Sequence, residues 1–523
     1  MTRNRVCMLL TGACLAVGAW AVLGSEEPPK EETENTKAVE TIDVLAKVCE
    51  WNSDKFVAPP TDFRQGHVTP RKLEDKALSK NEQGYTVKLP SGAPIPTPSV
   101  YRGKLYVSGG FHSKEFYCFS ADNGQLVWVL NLDDDGPTAA VCDDGVTVVN
   151  TESCTIFAFD ADTGKLLWSH WLGDPLTSTP TIAGGRVFTS YPASGRGGPA
   201  GAAQAPAQAT KGDANGKAAP PCSHVLAALD LKTGKILWQK WIDSDVMSAP
   251  VAVDQELYAT SFGGTVYKFN QADGTILSAK RSRATSAPVI VGKNVYFTKR
   301  TDDGKGKVEE SIAGADRAQG KPQFEGNKKE AAYLDGRVQA RSNFKGVAAQ
   351  LDAGNGFAAG APAGANPQAA LDNVGQDNVC TMQAFQGSRL LNYNNRNFNC
   401  MGDEVVCSDP QSGKALWTYK LGGDLRKEGG FLAAPPAAAG GQLFLTTLKG
   451  EVLQMNPADG TVTKTYKVGS QVRFQPAIDA GRIYIGTQDG RVVCIDTGDL
   501  QVTGWPCWGG NAAHTGLPGE KAE

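Results

Sequence analysis

Asp160-Ala-Asp-Thr-Gly-Lys-Leu-Leu-Trp168 returns almost unchanged as Asp230-Leu-Lys-Thr-Gly-Lys-Ile-Leu-Trp238. Looser copies occupy 120–128, 270–278, 409–417 and 456–464. A period of about 40 residues marks a repeat architecture, in which each copy is one supersecondary unit unable to bury its own apolar face. The phrase reads as a turn. An Asx residue opens it, at Asp160, Asp230, Asn270, Asp316, Asp409 and Asn456, and its side chain can bond backbone two residues on. Glycine stands four positions later, at Gly164, Gly234 and Gly413 for example, and takes positive φ without a Cβ clash. The tryptophan that follows, at Trp168, Trp238 and Trp417, offers a large apolar plate to a neighbouring unit.

Outward from the turn, a Pro-terminated dipeptide opens the first strand of most units: Thr97-Pro98, Thr179-Pro180, Ala249-Pro250, Ala287-Pro288, Ala434-Pro435 and Gln475-Pro476. A Gly-x-apolar-aromatic run such as Gly185-Arg-Val-Phe188 makes the second strand. The third ends at the Asx residue and the fourth runs through the tryptophan position. Alternating β-branched and aromatic residues between Gly, Pro and Asp punctuation have the period of two expected of strands. The units fall at 96–130, 137–172, 179–242, 248–280, 286–325, 380–421, 433–468 and 474–503. The expectation is an all-β fold, an eight-bladed β-propeller of four-stranded antiparallel blades. The fifth unit rests on Asp316-Arg-Ala-Gln-Gly320, with Phe324 at the tryptophan position; without it the alternative is seven blades. Tyr85-Thr-Val-Lys-Leu89 reads as a detached fourth strand that pairs with the eighth blade and latches the ring.

Sixty glycines and 29 prolines in 523 residues, with 8% aromatics, describe a turn-rich but foldable chain. A net charge of -3 and the lack of any basic stripe argue against nucleic acid as a partner. Residues 1–24 carry Arg3 and Arg5 ahead of an apolar run, a signal peptide that is either cleaved near Gly24 or kept as a membrane anchor. Residues 25–84 read as an N-terminal tether, partly disordered, with a helix-like stretch at 41–49. Residues 85–505 form the propeller and 506–523 a C-terminal tail. Export permits disulfides, and Cys380 and Cys400, both near one face of blade six, are the candidate pair. Cys118, Cys407 and Cys494 fall near the ends of third strands and read as small buried fillers.

The extended phrase Ala-x-Asp-x-x-Thr-Gly-Lys-x-x-Trp resembles the repeat of the pyrroloquinoline-quinone (PQQ)-type propeller family. The resemblance covers roughly residues 85–505 and implies the propeller fold. That family includes quinoprotein dehydrogenases and a non-catalytic propeller of outer-membrane protein assembly, so it implies either an enzyme with PQQ and calcium in its channel or a binding scaffold. The adjacent cysteine pair of many alcohol-oxidising members is missing from this sequence, as is any Cys-x-x-Cys-His haem motif. No calcium set falls on matching positions, so no catalytic or cofactor-binding residue is carried over. Gly504-Trp-Pro-Cys-Trp-Gly-Gly510 resembles a Trp-Pro-x-Trp/Phe-Gly segment found beside such propellers. It is expected to pack across the ring through Trp505 and Trp508.

Strand alternation puts the inter-blade loops and the loops between second and third strands on one face, and the Asx-Gly turns on the other. Two long insertions, 191–222 and 322–379, decorate the first face. On it, acidic Asp133, Asp135, Asp174, Asp243 and Asp245 stand against basic Arg281, Arg283, Arg426 and Arg473, a charge split suited to steering a partner. None of the five histidines has metal spacing, and no nucleophile elbow, Walker loop or His-Glu-x-x-His appears. The reading is an exported, periplasmic or membrane-anchored, monomeric propeller. It is non-catalytic and cofactor-free, and it binds a protein or other cell-envelope component through that face. The alternative is a quinoprotein dehydrogenase that uses PQQ and calcium to oxidise an alcohol or sugar.

Overall fold

The computed structural model describes residues 41–53, 66–110, 112–151, 155–172, 178–192, 222, 224–302, 308–330, 390–424 and 432–518. Eight four-stranded antiparallel blades follow one another along these residues. Their innermost strands are Ser99–Tyr101, Val141–Asp143, Thr181–Ala183, Val251–Val253, Val289–Val291, Leu391–Tyr393, Ala437–Ala439 and Ala477–Asp479. The inner strand of blade eight lies beside that of blade one, and Thr97 Oγ1 donates to the Gln475 carbonyl at 2.8 Å across this seam. The result is an eight-bladed β-propeller. Blade five is complete. The Gly320 N–H donates to the Asp316 carbonyl at 2.9 Å, and Pro322–Glu330 forms the fourth strand. Residues 322–330 therefore belong to a blade and not to the second insertion. The innermost strand of blade six is Leu391–Tyr393, and residues 380–389 of its expected unit lie outside the described residues. The first insertion likewise starts later than read, because the second strand of blade three runs over Arg186–Pro192.

The latch pairs as expected. Gly84–Lys88 lies antiparallel to Arg491–Asp496 as the fourth strand of blade eight, with Tyr85 opposite Cys494 and Val87 opposite Val492. The segment ahead of it departs from a tether in its described parts. Ile42–Asp43 adds a fifth strand to blade four, Val68–Pro70 one to blade one, and Leu78–Asn81 one to blade eight. A short helix, Leu45–Trp51, packs on the outer strands of blades three and four and buries Val48. These pieces cover outer edges that would otherwise expose unpaired backbone. No helix among the described residues is long and apolar enough to cross a membrane, and residues 1–40 lie outside them.

Tryptophan and glycine of the repeat meet between blades. Trp168 on blade two is 8% exposed, and its Nε1 donates to the Leu231 carbonyl of blade three at 2.9 Å. Trp238 does the same to the Gln271 carbonyl of blade four at 2.9 Å, and Trp417 to the Pro457 carbonyl of blade seven at 3.1 Å. Each ring lies over the turn glycine of the following blade. A Cβ on Gly234 would stand 2.6 Å from Trp168, and one on Gly460 2.6 Å from Trp417. Phe324 covers Gly413 in the same way, and Tyr85 of the latch covers Gly124. The glycine is thus required twice, for its positive φ (+69° at Gly234) and for the plate above it. The Asx role holds too: Asp160 accepts from the Thr163 N–H and hydroxyl at 2.9 and 2.6 Å, and these bonds lower its pKa. Asp230 and Asp409 repeat the pattern with Thr233 and Ser412.

Candidate interaction face and central channel

Several inter-blade acids on the insert-bearing face turn inward. Asp243 is 4% exposed, accepts from Thr265 Oγ1 at 2.7 Å and from the Ser244 N–H at 2.9 Å, and its own N–H donates to Tyr267 Oη at 3.1 Å. Asp245 is 3% exposed and accepts from Ser190 Oγ and from the Val246 N–H. Asp134 accepts from Thr151 and Thr155 hydroxyls, both at 2.6 Å. These carboxylates stitch inter-blade loops to the strands beside them. Asp243 and Asp245 are therefore buried structural acceptors, where the charge-split reading had them exposed in the acidic arc. A hydroxyl from another strand fixes the burial of each, and spacing along the chain does not show such a partner.

Of the remaining arc, Asp133 is exposed and Asp135 is half-buried, 3.5 Å from Lys114 Nζ. Arg281, Arg283 and Arg473 are half-buried on this face, and Arg283 adopts φ +55°. Asp174 and Arg426 lie outside the described residues. So does Cys380, the expected partner of Cys400. Cys400 itself is fully buried and its Sγ lies 3.1 Å from the Ala434 carbonyl. Cys118, Cys407 and Cys494 are buried as fillers, and burial pushes their thiols up to about 12, 11 and 12.

The channel holds the C-terminal segment. Trp505 exchanges backbone bonds with Ile478 of blade eight, at 2.6 and 3.0 Å. Val100 of blade one donates to the Pro506 carbonyl at 2.7 Å, Ile182 of blade three to Ala512 at 2.9 Å, and Ala252 of blade four to Ala513 at 3.0 Å. Each donor is the central residue of an innermost strand. The segment thus satisfies inner-edge N–H groups that an open channel would leave to water. His514, fully buried, sets Nδ1 2.8 Å from the Trp508 carbonyl and Nε2 2.9 Å from the Pro180 carbonyl, with its ring edge-on to Trp508. The expected packing of Trp505 and Trp508 is present, at 1% and 4% exposure. The histidine was not anticipated; its position in a Gly-rich tail carries no periodic signal.

The inner-strand donors named above already serve the chain's own carbonyls. Among the described residues no group of three His, Cys, Asp or Glu side chains stands where it could hold a metal ion. Blade six carries a buried polar set. Asn392 Nδ2 donates to Asn397 Oδ1 at 2.7 Å, and Asn399, fully buried, has no hydrogen-bond partner for either amide atom among the described residues.

A family model described as outer membrane protein assembly factor BamB matches residues 112–198, 222–373 and 377–505. Tetrathionate hydrolase of Acidithiobacillus ferrooxidans is 27% identical over 233 residues, 39% of this chain and 41% of that protein. Outer membrane protein assembly factor BamB of Nitrosomonas eutropha is 22% identical over 225 residues, 39% of this chain and 47% of that protein. The chain thus matches less than half the length of either relative. The crystal structure of BamB from Moraxella catarrhalis aligns over 80% of this chain and 97% of its own, with 16% identity and a TM-score of 0.48.

Proposed function

The chain belongs to the PQQ-type propeller family whose model is described as outer membrane protein assembly factor BamB, and from that premise we propose that it is an exported, non-catalytic scaffold. It presents its insert-bearing face to a protein of the cell envelope. The observation that carries this reading is the tail. Trp505, Pro506, Ala512 and Ala513 bond the inner strands of four blades, so the channel serves the ring's own cohesion. The buried aspartates support it as well. Asp134, Asp243 and Asp245 fix the loops of that face before any partner arrives, which lowers the ordering cost of binding.

The test is capture from an envelope extract by the full chain, beside a charge-reversed variant, D133K with R473E. The reading expects one protein retained in stoichiometric amount by the full chain and lost from the variant, with both chains melting at the same temperature. Absence of any retained protein, together with dye-linked alcohol or sugar oxidation on adding PQQ and calcium, would replace it with the dehydrogenase reading.

A further inference from the structure

The tail visits inner strands in order around the ring: Trp505 on blade eight, Pro506 on blade one, Ala512 on blade three and Ala513 on blade four. Between its blade-one and blade-three anchors it must pass blade two. The centre of that inner strand is Cys142, the position held by Val100 in blade one and Ile182 in blade three. Cys507 directly follows the blade-one anchor Pro506 and is 6% exposed. Cys142 is half-buried and packs in the cluster between blades one and two, with Tyr101, Phe116 and Cys118, and so faces the blade that anchors Pro506. Its Sγ lies 3.1 Å from Thr147 Oγ1. The electrostatics agree with this placement. Burial raises the Cys142 thiol pKa, the Thr147 hydroxyl moderates the rise, and the thiols of Cys507 and then Cys118 add to it.

We propose that Cys142 and Cys507 form a disulfide that staples the C-terminal segment to blade two and locks it in the channel. Both are thiols in the structure. The bond forms by exchange with a disulfide donor, either oxidised glutathione or a protein disulfide of the exported compartment. One cysteine thiolate attacks the donor and releases its first thiol. The second attacks the resulting mixed disulfide and releases the other. Two protein thiols and one donor disulfide thus become one protein disulfide and two donor thiols, with two electrons passing to the donor. Burial keeps a docked thiol protonated and inert, so the exchange belongs to the step in which the tail docks. The bond closes a loop spanning almost the whole propeller, so it restricts the unfolded chain strongly. In the cell the donor comes with export, and on that point the proposal rests on the reading of residues 1–24.

Two samples test it by peptide mapping, with thiols alkylated in denaturant before any reduction. One is the full chain recovered from cells that export it by its own leader. The other is the chain from residue 25, made in a reducing cytosol and refolded with oxidised glutathione. The expected map links the Cys142 peptide to the Cys507 peptide in both. The refolded sample should melt several degrees above its reduced twin, and C142S and C507S should each abolish that difference. A refolded chain with both cysteines alkylated, or with Cys142 joined to Cys118, overturns the staple. A link in the refolded sample that is missing from the exported one leaves the staple standing and removes the export reading.

Discussion

Each turn glycine of the repeat meets two demands, and one pair of substitutions separates them. Gly185 takes φ +70° with open space where a Cβ would go, while Gly234 takes φ +69° beneath Trp168. G185A should cost about 1 kcal/mol, the left-handed strain alone. G234A should cost roughly 2–4 kcal/mol, because the ring must also move. Chemical denaturation of the two variants reads the difference, and equal losses would show that the Trp168 plate is unimportant. Asn399 makes the opposite prediction. Its buried amide has no partner among the described residues, so N399V should stabilise by about 1 kcal/mol, read as a higher Tm. His170 gives a pH signature. It contacts the Gly234 carbonyl through Nε2 at 2.8 Å, and burial holds its pKa below the usual 6.5. The unfolded chain therefore protonates it first, so its contribution is full above pH 6.5 and declines as pH falls below that value. The turn aspartates Asp160, Asp230 and Asp409, held below 3.8, lose theirs only as pH drops through and below 3.8. Tm should fall between pH 7 and 5, and H170Q should flatten that slope. His224, also lowered by burial, should account for part of what remains.

At the scale of elements, the blades were legible in sequence because each repeats the same strand, turn and plate. The latch was legible because Tyr85-Thr-Val-Lys-Leu89 has the pattern of a fourth strand, and it pairs with Arg491–Asp496. Truncation before Pro90 should therefore expose the edge of the third strand of blade eight, lower Tm and promote association; an unchanged Tm would count against ring closure by the latch. The outer belt was not legible. Ile42–Asp43 and Val68–Pro70 are strands of two and three residues whose partners lie 60 or more positions away, too short for any periodicity to form. The stitched aspartates were misread for a related reason. An acid in a loop looks exposed until a threonine from another strand, as with Asp243 and Thr265, gives it somewhere dry to go.

The propeller is a ring whose centre is filled by its own C-terminal segment. The resemblance of Gly504–Gly510 to a segment found beside such propellers implied that the tail would lie across the ring through Trp505 and Trp508. It could not show that backbone carbonyls of that tail would take the inner-strand N–H groups of blades eight, one, three and four. Backbone bonding of this kind is independent of side-chain identity and leaves no mark in the residues. The family's two functional styles differ at this place: an enzyme needs the channel for its quinone, and a scaffold does not. Calorimetric titration of PQQ into the full-length chain, with calcium present, puts the matter directly. The account predicts no binding heat and no change in Tm. Saturable binding of one PQQ per chain would contradict it.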